Sequence, residues 1–181
     1  MPITKSEIER VINGKEDFVK IDYLNRYLNH IDNFDVKKFI LLNLASIYES
    51  KNMVPLAVRH LNSATDIALN NREKIELYMK IVGLYIKIRN FPQAENALKQ
   101  AMYIAPELER LRLKSKCLDI FWNSAKEAET KEKGRHAFEI YKHMLTLSMP
   151  EDKRTELKEK LLNYYNKMGR VREYNKLKAS R

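Results

Sequence analysis

A self-match at an offset of 37 residues constrains this chain more than anything else in it. Leu44 recurs as Ile81, Ile47 as Leu84, Tyr48 as Tyr85, Pro55 as Pro92, Ala57 as Ala94, Leu61 as Leu98, Ala64 as Ala101 and Ala68 as Ala105. Unrelated amphipathic helices do not keep a proline and a series of alanines in step, so the chain carries an internal repeat. A unit of this length cannot bury its apolar face alone and must pack on its neighbours. The clearest unit, residues 75–106, reads as two short helices joined by a tight turn.

The alanines set how the two helices of a unit meet. Helices joined by three or four residues cross closely, and a small side chain at the crossing lets one backbone settle on the other. A large residue at Ala94 or Ala101 overpacks, at a cost of about 1–3 kcal/mol. Tyr78, Ile81, Tyr85, Phe91 and Leu98 fill the space around them.

The same reading extends in both directions. Residues 5–13 form a short amphipathic segment with Ser6 as N-cap and Gly14 as its stop, and residues 16–31 form a helix striped by Val19, Tyr23, Leu24, Tyr27, Leu28 and Ile31. These make an irregular first pair over 1–34. Repeat units follow over 38–71, 75–106 and 115–149, with Asp35 expected to cap the helix of residues 35–50. In the third unit Leu111, Leu118, Phe121, Trp122 and Ala125 supply the inward face, and Ala137 stands 43 residues after Ala94, so this unit is longer. A basic pair over 151–181 turns at Gly169 and caps the array, with Tyr174 where the other units place alanine. The expectation is one all-α domain over residues 1–181, with about ten helices.

Composition agrees. Only four glycines and five prolines leave little room for loops. Cys117 is the single cysteine, which rules out an intrachain disulfide and a cysteine-built zinc site and suits an interior position in a reducing compartment. Residues 1–12 lack a basic region followed by an apolar run of secretory length, and no stretch approaches 18 uninterrupted apolar residues. A cytoplasmic protein with no membrane span is expected.

The formal charge is +10, and most of it is gathered at one end. From Lys153 onward ten basic residues, the last of them Arg181, face three acids, Glu156, Glu159 and Glu173, leaving +7. Arg154, Lys158, Lys160, Arg170, Arg172, Lys176 and Lys178 form a candidate basic patch that could attract nucleic acid or an acidic partner, or serve only as a solvated cap.

Nothing in the sequence assembles a reaction centre. His136 and His143 lie two helical turns apart, a poor spacing for one metal, and His30 and His60 have no ligand motif beside them. Cys117 has no recognisable base partner, and the glycines at 14, 83, 134 and 169 are isolated, so no phosphate loop is formed. No enzymatic activity, metal or cofactor is expected. Trp122 and the tyrosines sit at core spacing.

Tyr78, Ile81, Tyr85, Phe91, Ala94, Leu98, Ala101 and Pro106, in that order and spacing, resemble the signature of the tetratricopeptide repeat. Gly83 departs from it by one residue, since the family's glycine slot holds Val82. The resemblance is specific at 75–106, looser at 38–71 through Leu44, Ala45, Tyr48, Ala57, Leu61 and Ala64, and in outline only elsewhere in 35–179. It implies an α-solenoid: a right-handed superhelix of antiparallel helix pairs whose first helices line a concave groove. It also implies a protein-binding scaffold.

The family's carboxylate clamp would fall on Leu42, Ser46, Lys80, Lys116 and Ile120, of which only Lys116 suits the role, so a chaperone-tail clamp is not expected. The register instead turns Asn43, Met79, Lys80, Gly83, Lys87, Lys116, Asn123, Asn163 and Lys167 toward the groove, with Ile86 among them. Asn can bond a ligand backbone, Lys can meet carboxylates, and glycine allows close approach. The expected partner is a protein or peptide with acidic groups. Nucleic acid at the basic end is the alternative, and self-association through exposed helix faces is a third possibility.

Overall fold

The computed structural model describes residues 4–180, so Arg181 lies outside the described residues. These form ten α-helices and no strand: α1 Lys5–Ile12, α2 Asp17–Leu28, α3 Phe34–Ser50, α4 Val54–Asp66, α5 Asn71–Lys87, α6 Phe91–Ile104, α7 Glu107–Thr130, α8 Gly134–Met144, α9 Glu151–Lys167 and α10 Val171–Ala179. Each helix packs on the next in the chain, and α5 also packs directly on α7.

The helix starts are chosen by side-chain caps and prolines. α1 is capped by Thr4, not Ser6: Thr4 has the extended backbone of a cap and closes a reciprocal capping box with Glu7, whereas Ser6, which also has an acid three residues on, already lies inside the helix. α3 is capped by Asn33, not Asp35, because the Asn33 side chain reaches back to accept from the amides of Asp35 and Val36 at 3.0 and 3.2 Å. Asn70 caps α5 in the same way, while α4 and α6 open with Pro55 and Pro92 in their first turns.

Four turns are copies of one another. Asn52, Arg89, Glu132 and Gly169 all take left-handed backbone angles, with φ of 59°, 61°, 57° and 66°. In each turn the amide of the next residue bonds a carbonyl five positions back: Met53 to Tyr48 at 2.8 Å, and Asn90 to Tyr85, Lys133 to Ala128 and Arg170 to Tyr165 at 2.9 Å. This is the closure by which a helix ends and the chain reverses. Among the four, Gly169 takes this conformation freely and Asn52 tolerates it, whereas Arg89 and Glu132 carry it at a cost of about 1 kcal/mol each.

Counting from these left-handed residues gives steps of 37, 43 and 37. The additional six residues lie at the front of the third unit, where α7 runs for 24 residues against 17 for α3, α5 and α9. Ala57, Ala94 and Ala137 occupy one place relative to their turns and are fully buried there; Tyr174, the fourth, is half-buried on a helix with no successor.

Two apolar clusters form the interior. α1, α2 and one side of α3 enclose Ile8, Ile12, Leu24, Val36, Ile40 and Leu44. The other side of α3, through Leu41 and Ala45, joins a larger cluster that continues to Leu157, Leu161 and Tyr165 of α9. Leu111 is not part of it. Expected on the inward face, it is 72% exposed, because the inner stripe of α7 begins at Leu113 and continues through Cys117, Phe121 and Ala125. Val19 is likewise on the open side of α2.

Candidate interaction groove

The first helices of successive units, α3, α5 and α7, share a recess of about 300 Å³. Its floor is apolar, from Leu42, Ala45, Leu61, Met79, Leu84 and Ile120, and its rim is polar, from Ser46, Glu49, Lys80 and Lys87. Of the groove residues expected from sequence, Met79, Lys80, Gly83 and Lys87 therefore come together here. Met79 arrives as floor rather than as a displayed side chain, being 3% exposed.

Gly83 lies mid-helix at this recess. A Cβ placed on it would stand 3.7 Å from Cγ2 of Ile120, an ordinary contact, so packing does not demand a glycine. Glycine within a helix costs about 0.5–1 kcal/mol relative to alanine. What its bare backbone does provide is depth.

The rim is partly neutralised. Lys87 bonds Glu49 at 2.5 Å across α5 and α3, and Lys38 bonds Glu73 at 2.7 Å across the same two helices. Glu73 is held below the usual carboxylate range chiefly by that lysine, helped by the Leu69 amide. These pairs stitch α3 to α5 and leave out Lys80, which is exposed. Asn123 is also exposed and stands nine residues before its turn's left-handed residue, as Asn43, Lys80 and Lys160 do before theirs.

No protein-family model matches this chain, and no curated protein matches it.

The remaining candidates divide. Lys87 also borders a second recess of about 130 Å³ with Asn52, Ser124, Glu127, Lys131, Lys133 and His136. His136 there is pushed below its ordinary pKa by burial first and by Arg89 and Lys133 after it. Asn163 and Lys167 border a third, about 70 Å³, with Glu129, Lys160 and Tyr164. Lys116 is exposed on α7, four residues before Ile120. Asn43 turns its amide to the Phe39 carbonyl of its own helix at 2.8 Å, which occupies one of its donors.

Leu42, Ser46 and Ile120, which the sequence places at clamp positions unsuited to that role, line this recess, and Glu49 is a rim residue that sequence reasoning missed. That reasoning also missed the role of Glu129. Its carboxylate accepts from Tyr141 at 3.2 Å, Tyr164 at 3.0 Å and Lys160 at 3.0 Å, tying α7, α8 and α9 at one point. Both phenols are held protonated above the ordinary tyrosine range, by burial first and by Glu129 second, Tyr164 up to about 12.

Much of the basic end is engaged in the fold. Arg154 donates to the Leu147 carbonyl at 3.3 Å beyond the end of α8, and Lys158 to the Ser180 carbonyl at 3.0 Å at the end of α10, so two of the cations serve helix ends. Lys160 belongs to the Glu129 knot, Arg170 lies over the Phe138 ring at 5.6 Å, and Lys178 over Tyr174 at 5.8 Å. Arg172 and Lys176 are exposed.

Cys117 is buried, and burial pushes its thiol up to about 12, with Glu95 adding to the effect. His143 stacks on Phe91 at 4.2 Å with Glu95 at 3.1 Å, and burial lowers its pKa against the pull of that carboxylate. Among the described residues no group of three or more His, Cys, Asp or Glu side chains is placed to hold a metal ion. No described helix is long and apolar enough to cross a membrane.

Proposed function

We propose that this chain is a non-enzymatic scaffold of the tetratricopeptide kind, a solenoid that binds a peptide segment or partner protein along the side where α3, α5 and α7 meet. The observation that carries the reading is Gly83: a helix-interior glycine that packing does not demand, at an apolar recess rimmed by lysine. Such a recess takes one apolar side chain, and the free lysine beside it takes a neighbouring carboxylate. The four copied turns and the buried alanines at equivalent places support the repeat architecture.

The turn register also bears on the type of ligand. Counted from Arg89 and Glu132, the third-helix positions of a carboxylate clamp fall on Asp119 and Asn123 rather than Lys116 and Ile120. That removes the single agreement with the clamp, so an internal segment suits this groove better than a free chain end. Nucleic acid at the basic end has less support, since Arg154, Lys158 and Lys160 are drawn into helix ends and an ion pair.

A displayed library of random peptides, selected on the immobilised chain, tests the groove. Enriched peptides carry an apolar residue beside acidic ones and lose binding to a Gly83→Leu, Lys80→Glu variant. Enrichment of peptides that bind this variant equally well sinks the assignment.

A further inference from the structure

α7 carries two turns that the other long helices lack, and one side of them is uncovered. Glu107, Leu108, Leu111, Arg112 and Ser115 share a face by helical periodicity, and all five are exposed, Leu108 at 88% and Leu111 at 72%. Leu113 and Cys117, turned the other way, are buried. Four residues past Ser115 on the same side, Asp119 bonds Lys153 of α9 at 2.7 Å, and cover begins there. The face is open because α9, at 17 residues, is too short to follow α7 to its start.

This face is complementary to itself. Its acid stands at the N-terminal end, its leucines in the middle and its arginine on the C-terminal side. If two copies lie antiparallel about a two-fold axis between residues 109 and 110, position 108 meets 111 of the other copy and 107 meets 112. Each leucine then covers a leucine, and each Glu107 faces an Arg112. A uniformly acidic or basic partner would match only half of the face. We infer that a second copy of this chain covers the α7 extension, in an isologous antiparallel contact. Burial of the leucines drives the association and the charge pairs set its register. Two helical turns on each side make a contact far below standard interface size, so the dimer is weak and reversible.

Sedimentation velocity at low salt, over roughly 10 μM to 1 mM, tests this, a range suited to small interfaces. The wild-type mass rises with concentration toward twice the monomer. Glu107→Arg and Arg112→Glu each set like charges against one another and weaken association by about tenfold or more. An equimolar mixture of these two variants recovers it, because both cross-pairs are then Arg with Glu. Leu108→Ser with Leu111→Ser abolishes association while leaving thermal unfolding unchanged, since neither side chain is in the core. A constant monomer mass for the wild type, association that survives either charge reversal, or a mixture that fails to recover would each overturn the inference.

Discussion

The α3–α5 junction and the α7–α9 junction join equivalent helices, each with an ion pair at either end, Asp119 with Lys153 and Glu129 with Lys160 in the second, and differ in what lies between the helices. The first is held by ion pairs at its two ends, Lys38 with Glu73 and Glu49 with Lys87, and leaves an apolar recess of about 300 Å³ between them. The second is drawn together by Glu129, which gathers two phenols and an ammonium, and the recess beside it shrinks to about 70 Å³. Non-directional packing allows a gap, whereas a carboxylate with three donors fixes its neighbours. The open junction leaves an apolar floor accessible between its helices, and the closed one leaves little.

The largest effect is expected at the α5–α6 crossing beneath the open junction. Ala94→Leu, at a fully buried site, is expected to destabilise the chain by about 3 kcal/mol in urea unfolding, at the upper end of overpacking costs. The same measurement on Tyr174→Leu, its half-buried counterpart on α10, should show about 1 kcal/mol or less.

Glu129→Ala comes next. It leaves the buried Tyr141 hydroxyl without its acceptor and should cost about 2 kcal/mol, with loss of protection from hydrogen exchange concentrated in α8 and α9. pH probes the same knot. Tyrosine ionises near 10 in an unfolded chain, and Tyr164 is raised to about 12 in the folded one, with Tyr141 raised further by burial. A raised phenol pKa stabilises the fold fully below pH about 10, and the contribution is lost as pH rises toward 12. Urea midpoints measured from pH 9 to about 12 should fall in the wild type and fall less in Tyr164→Phe.

Smaller changes sharpen the contrast. Gly169→Ala should cost about 1 kcal/mol, bringing the fourth turn to the strain that Arg89 and Glu132 carry in theirs. Gly83→Ala should stabilise by about 0.5–1 kcal/mol while narrowing the open recess, a gain in thermal midpoint that accompanies weaker binding of any peptide seated there. A Gly83→Ala variant that loses stability would show that Ile120 already presses on this position.

The parts legible in the sequence were those governed by spacing. The 37-residue offset located α3 to α6 and the alanine crossings, because one small residue per crossing leaves a strict periodic trace. Caps were misplaced at Ser6 and Asp35 because several Ser, Thr, Asn and Asp residues stood close to each start, and only backbone geometry chooses among them. Leu111 was assigned inward because α7 keeps its amphipathic pattern past the point where neighbours cover it; periodicity reports a face, not whether anything lies on it. The register turns Met79 toward the open side, whereas its side chain is buried as the floor of the recess: a recess has depth that a helical wheel does not represent. The Glu129 knot joins residues up to 35 positions apart through side-chain atoms, which no local pattern encodes.

Nearly every helix rests on the one before and the one after it, and the α3–α4, α5–α6 and α7–α8 pairs share the most extensive contacts. A chain wired so locally closes only short loops on its way to the native state, and topologies of this kind fold on the microsecond to millisecond scale. Each hairpin can also dock on the one before it as soon as both have left the ribosome, without waiting for the C-terminal end.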